Sequence, residues 1–296
     1  MKNVLYTFYD ISINEINKEK NNYYFYFNHS LYIFYLVEND VNIVDKIYKY
    51  LLDNNIVTYK IISNKNEELF TDVDGKKYTL LLANGILKYV VKFDEIKYYP
   101  VNENGHDWGE LWSNRLDYYE VQLRELGYKY QTVLNSYGFF EGIALNAILY
   151  YNLTIDKFNE DSVVGIVHNR MFYPCYSIDY DNPLNFVIDY SVRDISEYIK
   201  SYTMSDDYDI ENVLLLLRKI NVNKLMFNLL FSRLLYPTFY FDIFDKIILD
   251  NGEDRDVVVI LNKLDNYLDM IKEVYKEFNT KYELFNIEWL NKNVEI

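Results

Sequence analysis

Two periodicities divide this chain, and their order limits what it can fold into more than any other feature. Residues 23–28, YYFYFN, and 31–38, LYIFYLVE, are aromatic and β-branched runs separated by His29-Ser30, the pattern of a hairpin. Residues 40–55, DVNIVDKIYKYLLDNN, then set Val41, Val44, Ile47, Tyr48 and Leu51 at three-to-four spacing behind Asp40 and stop at Asn54-Asn55, which predicts a helix with an aspartate N-cap. VTYKIIS and EELFTDVDGKKYTLLLA follow, the second folding back at Asp74-Gly75 as a hairpin turn. The first eighty-odd residues are therefore expected to form five or six antiparallel strands with one helix among them.

From about residue 86 the period becomes helical. Residues 108–126, 136–152, 209–235 and 256–278 carry apolar side chains at helical spacing, the third stretch ending before Pro237. In the last, Val258, Leu261, Leu264, Leu268, Ile271, Tyr275 and Phe278 make one stripe, expected to be core. Trp108 and Trp112, four residues apart, are expected in the core or at a lobe interface. The fold class is thus α+β: a small antiparallel-sheet N-lobe over residues 1–88 and a large, mostly helical C-lobe over 89–296, joined around Ala83 to Pro100.

Charge and composition exclude several partners. With 45 acidic against 30 basic residues the net charge is −15, which repels phosphate backbones and anionic headgroups, so nucleic acid is not an expected partner. No apolar run approaches the ~18 residues of a membrane span; VLLLLRK, from Val213, breaks at Arg218, and membrane insertion is not expected. Cys175 is the single cysteine, which rules out an intramolecular disulfide framework. With no charged-then-apolar leader at the N-terminus, it fits a cytoplasmic location. His29, His106 and His168 lie far apart, so structural zinc spacing is missing, while a carboxylate-bound metal stays open.

Chemistry concentrates in residues 165–199, GIVHNRMFYPCYSIDYDNPLNFVIDYSVRDISEYI. His168-Asn169-Arg170, two Ile-Asp-Tyr triplets holding Asp179 and Asp189, and the Arg193-Asp194 pair fall within about three dozen positions. Together with SYGFFEGIALNAILYY, GIVHNR, VIDYSVRDISEYI and SRLLYPTFYFD, the order of strands and helices resembles the protein-kinase-like superfamily. Within it the chain is most similar to the aminoglycoside and choline phosphotransferase branch and its spore-coat members of the CotS and YutH type. The resemblance implies a bilobal protein-kinase-like fold. It also implies a site loop of the form His-Gly/Asn-Asp, whose Asp is base toward an acceptor hydroxyl, followed by an Asn and an Ile-Asp-aromatic triplet that hold Mg²⁺ on ATP.

This chain departs from that pattern at three places. Arg170 stands where the base belongs, and a guanidinium accepts no proton at physiological pH. Cys175 replaces the Asn. Residues 14–38 contain no glycine to let backbone N–H groups approach phosphates, and LYIFYLV has no lysine. Spacing favours Asp189 over Asp179 as the retained triplet acid. Three readings stay open for these residues. In the first, the role is structural: Asp194 bonds backbone N–H groups of the site loop, and Arg170 or Arg193 pairs with Asp189; in the second, Asp189 with Arg170 and His168 binds an anion or a metal, with Asp189 the candidate ligand; in the third, an unfamiliar base such as Asp179 or Asp181 retains catalysis. The expected function is a pseudokinase with no assigned catalytic residue and no cofactor, acting as a binding or assembly module for a protein partner, in the cytoplasm or the spore coat. The alternative is a small-molecule phosphotransferase using ATP and Mg²⁺. By spacing, Arg170 is expected near Asp189.

Overall fold

The structure, a computed structural model, describes residues 1–19, 21–83, 89–249 and 252–291. Within the expected connection, residues 84–88, and with them the position of a boundary at 88, lie outside the described residues. The elements run α1 (Lys2–Tyr9), β1 (Asn17–Glu19), β2 (Asn22–Phe27), β3 (Ser30–Leu36), α2 (Val41–Asp53), β4 (Lys60–Ile62), β5 (Thr71–Val73), β6 (Lys76–Ala83), β7 (Val90–Val91) and β8 (Tyr99–Pro100). There follow α3 (Trp108–Leu126), α4 (Gln131–Lys157), β9 (Val164–His168), β10 (Cys175–Tyr176), α5 (Ser177–Tyr180), β11 (Phe186–Tyr190) and α6 (Arg193–Thr203). The chain closes with α7 (Ile210–Arg218), α8 (Lys224–Leu235), α9 (Thr238–Ile248), α10 (Asp254–Leu261), α11 (Leu264–Tyr282) and α12 (Glu288–Asn291). Two compact units result: Met1–Lys92 with Cys175–Val187, and Phe93–Pro174 with Ile188–Ile296.

The first unit is an antiparallel sheet of order β1-β2-β3-β6-β4, with β5 also paired to β6. Asn28 and His29, both at positive φ, turn β2 into β3, and Asp74-Gly75 does the same between β5 and β6; two successive left-handed residues match the twist of the flanking strands. Helix α2 begins as its sequence predicts, the Asp40 carboxylate accepting from Asn42 N–H, and buries Val44, Ile47, Tyr48 and Leu51. Helix α1 was not expected. At eight residues it is too short for periodicity to reveal, and its Leu5 packs with Phe25, Phe34, Tyr78 and Leu80. The segment Cys175–Val187 joins this unit through the β10–β7 pair and through Thr58 Oγ1 and Tyr59 N–H, which donate to the Asp181 carbonyl at 2.7 and 3.0 Å.

In the second unit α8 is buried at all but its first residue, as expected of a central helix whose apolar residues are not confined to one face. Two expectations are corrected here. The 209–235 stretch is two helices, because the Asn223 side chain accepts from Met226 N–H and starts α8 afresh after α7 has ended at Arg218. The 256–278 stretch is also two, α10 and α11, and the break shifts the helical phase: Val257 and Ile260 are buried while Val258 is exposed. Leu268, Ile271 and Phe278 do face the core.

Candidate functional site

Strand β9 delivers His168-Asn169 into the second unit, and the first turn of α6 holds them there. Asp194 accepts from His168 N–H at 2.8 Å, with the ring nitrogen Nδ1 at 2.7 Å from its other oxygen. Arg193 donates to the carbonyls of His168 (3.1 Å) and Asn169 (2.8 Å) and to the Asn169 side chain (3.0 Å). His168 and Asp194 are fully buried, and a buried backbone segment so bonded has little freedom to move. These contacts are what an Arg-Asp pair at the start of a helix, opposite a loop, can supply.

Asp189, at the end of β11, is the second anchor. Its carboxylate receives Arg193 at 2.5 Å, the Trp108 indole N–H at 3.0 Å, Tyr190 N–H at 2.9 Å and His106 N–H at 3.4 Å, and it has no solvent exposure. Burial alone would raise its pKa, but His106, the Arg193 and Arg233 guanidiniums and the Trp108 N–H outweigh it and hold the carboxyl well below the usual range. Gly105 allows the approach, since a Cβ there would lie 2.6 Å from the Tyr190 ring. Trp108 is core, as expected, and also a hydrogen-bond donor to the site.

The structure thus brings His168, Asn169, Asp189, Arg193 and Asp194 together. The expected pairing of Arg170 with Asp189 is corrected: Arg193, four residues after Asp189 at the start of α6, takes that carboxylate, and Arg170 forms a two-point pair with Asp242 at 2.8 Å on each arm. Asp242 and Asp245 of α9 also receive Arg115 of α3, whose Nε lies 2.5 Å from the Tyr119 hydroxyl. Asp179 and Asp181 belong to the first unit; Asp179, in α5, is exposed, and its carbonyl accepts from Asn185.

Further along α6, sequence reasoning missed a buried ionic cluster. Glu197 accepts from Lys200 and Arg233, each at 2.9 Å, and all three side chains are almost wholly buried. Lys200 also donates to Thr238 Oγ1 (2.5 Å) and the Tyr236 carbonyl (3.2 Å), and the Arg233 guanidinium lies 4.7 Å over the Trp108 ring. Arg193, Glu197 and Lys200 repeat every three to four residues, a signal that reads as a solvated helix face until the neighbours are known. Beside them lies a cavity of about 490 Å³ lined by Arg115, Arg170, Lys200, Thr238, Asp242 and apolar residues including Phe239.

Burial pushes Lys200 down to about 7 against the pull of Glu197. Its ordinary value is 10.5, so between about pH 7 and 10 the unfolded chain binds a proton that the folded chain releases. Stability is therefore expected to rise with pH across that window. Denaturant melts of the protein and of Lys200→Met at pH 7, 8 and 9 check this: the variant should lose the upward slope, and identical slopes would show that Lys200 does not titrate there.

A six-stranded antiparallel sheet bearing a helix, followed by a mostly helical region, is the fold of the aminoglycoside phosphotransferases. The chain is similar to an aminoglycoside phosphotransferase from Alicyclobacillus acidocaldarius subsp. acidocaldarius DSM 446, with a TM-score of 0.60 and 10% identity over 92% of this chain and 94% of that one. It is also similar to spectinomycin phosphotransferase APH(9)-Ia in complex with ADP and spectinomycin, with a TM-score of 0.55 and 11% identity over 96% and 98% of the two chains. The chain belongs to the family described as "Spore coat putative kinase YutH", whose model matches residues 2–280. Its relative in Bacillus subtilis (strain 168), the endospore coat-associated protein YutH, is 26% identical over 270 residues, 78% of this chain and 79% of that protein.

Proposed function

We propose that this protein is a catalytically degenerate member of its kinase-like family, a pseudokinase that serves the endospore coat as a binding or assembly module. The observation that carries this reading is the condition of Asp189. The acid that would ligate Mg²⁺ is buried, ion-paired to Arg193 and bonded by Trp108, Tyr190 and His106. A magnesium ion does not fit this set, because both oxygens are already occupied and a guanidinium sits where a second cation would be repelled. Arg170, in the position of the base, is tied to Asp242 and cannot accept a proton.

Nucleotide and ligand-free samples distinguish this from the phosphotransferase reading. ATP with Mg²⁺ is expected to leave the melting temperature unchanged, whereas a ligand well above its Kd raises it by mass action. Arg170→Asp should set a new carboxylate beside Asp242 and Asp245, which already share Arg115, cost about 1 to 3 kcal/mol in a denaturant melt and give no ATP turnover. A saturable ATP isotherm for the native protein, or turnover by the variant, would overturn the proposal.

A further inference from the structure

Helix α9 lays two stripes along the wall of the cavity beside the site loop. Thr238, Asp242 and Lys246 follow one another at four-residue spacing, and Phe239 and Ile243 run parallel to them one position on; all five line the cavity. At about 490 Å³ it has the size of a site for a small organic molecule. Its walls also depart from the charge of the chain, which is −15: Arg115, Arg170, Lys200 and Lys246 stand there against three carboxylates.

Those carboxylates are nearly all committed. Arg170 takes both oxygens of Asp242, and Asp245 accepts from Arg115 on one oxygen and from the Tyr119 hydroxyl on the other. Glu197 receives Lys200 and Arg233 on Oε1 alone. No described residue donates to its Oε2, although the Glu197 side chain lines the cavity and is only 6% exposed, and a buried acceptor left without a donor is costly. Thr238 marks this end, its Oγ1 lying 3.4 Å from Glu197 Oε1. The far end carries the opposite surplus. Arg115 reaches Asp245 there, but neither its Nη1 nor Lys246 Nζ donates to any described residue. Eight residues of helix from Thr238 to Lys246 set the two ends about 12 Å apart.

We propose that this cavity binds a short apolar peptide with free termini, its ammonium on Glu197 and its carboxylate on Lys246 and Arg115. A donor at one end, an anion at the other and an apolar body between them is what the walls ask for. An inorganic phosphate would leave Glu197 Oε2 without a donor, and a polyamine would set a cation against Lys246. A free amino acid is too short to reach both ends, whereas three extended residues span about 10 Å. The peptide's apolar side chains rest on Phe239 and Ile243. Its backbone groups meet Asn169 and Ser201, which also line the cavity and whose side-chain amide N–H and hydroxyl hydrogen find no acceptor among the described residues. The inference goes beyond the catalytic reading and does not rest on it, since no nucleotide takes part: ATP turnover would overturn that reading and leave this one standing.

Calorimetric titration of the full chain with the tripeptide Leu-Ala-Leu, in the absence of nucleotide, should give saturable heat with a Kd on the order of 100 µM. Its C-terminal amide and its N-acetyl form should each bind at least about tenfold more weakly, the first lacking the anion and the second the charged donor. Lys246 is exposed, so Lys246→Glu should keep the parent's melting temperature. This variant should lose about tenfold in affinity for the free peptide and bind the amide as the parent does. A titration without saturable heat, a capped form that binds as tightly as the free peptide, or a Lys246→Glu protein with the parent's affinity would each overturn the proposal.

Discussion

Glu197→Leu is expected to destabilise the protein by about 3 to 5 kcal/mol, the range for removing one partner of a buried ion pair. Its Oε1 atom accepts from Lys200 Nζ and Arg233 Nε, and lies 3.4 Å from Thr238 Oγ1. Burial opposes the charge of Glu197, but Lys200 and Arg233 hold its pKa well below the usual carboxylate range. Without it, the Arg233 guanidinium loses its ion-pair partner in an apolar interior and Lys200, already lowered to about 7, is driven further toward its neutral form; burial has already lowered Arg233 to about 10, with Arg193 adding to the effect. Urea melts at neutral pH measure the loss. The triple variant Glu197→Leu/Lys200→Met/Arg233→Met should recover much of it, because replacing a whole buried cluster by apolar groups removes the desolvation cost along with the attraction. Recovery will be partial, since Arg233 also stacks on Trp108 and Lys200 satisfies the Tyr236 carbonyl. If the single variant melts like the parent, the cluster is not a structural pivot and water must reach it.

The sheet was legible because its signals are local. The aromatic runs of β2 and β3 and the Asp74-Gly75 turn each act within a few residues, and Asp40 caps the helix it precedes. Helix breaks were less legible. Ile220 to Asn223 carries no proline or glycine, and α8 begins anew only because Asn223 finds Met226 N–H. In the site, His168, Asp189, Arg193 and Asp194 could be grouped from sequence, since their roles follow a strand-loop-helix order. The choice between Arg170 and Arg193 could not be made by counting residues. Arg193 lies on the turn of α6 that faces β11, and Arg170 is drawn off by Asp242, seventy-two positions later. Trp108 and Arg233 were hidden for the same reason: their partners are distant in sequence, and a tryptophan at helical spacing reads as core whether or not its N–H has an acceptor.

Asp189→Asn separates the two roles that this residue could have. If the carboxylate served a metal, its neutral isostere would abolish activity and leave stability unchanged or higher, because an unpaired buried charge would be gone. Here the carboxylate is what Arg193 pairs with, and Arg193 in turn holds the carbonyls of His168 and Asn169. The asparagine keeps the size but replaces one acceptor oxygen with an NH₂ group that faces donors, and leaves the guanidinium buried without its counter-charge. The expected loss is about 2 to 4 kcal/mol, a charge-assisted hydrogen bond plus part of the penalty of an unpaired buried cation. The sign of the pH dependence follows. Because the folded-state pKa of Asp189 is held below its ordinary value of 3.8, its contribution is fully present above that value and disappears as pH falls below it. Denaturant melts at pH 7 and at pH 3 should therefore show a large gap between parent and variant at the first and a smaller one at the second. A double-mutant cycle with Arg193→Gln assigns the pair: if both single variants lose stability and the double variant loses little more than either, Asp189 and Arg193 act as one unit. Additive losses would mean that Asp189 is held by Trp108 and the backbone alone. A variant as stable as the parent at pH 7 would return Asp189 to the list of candidate metal ligands and remove the observation on which the pseudokinase proposal rests.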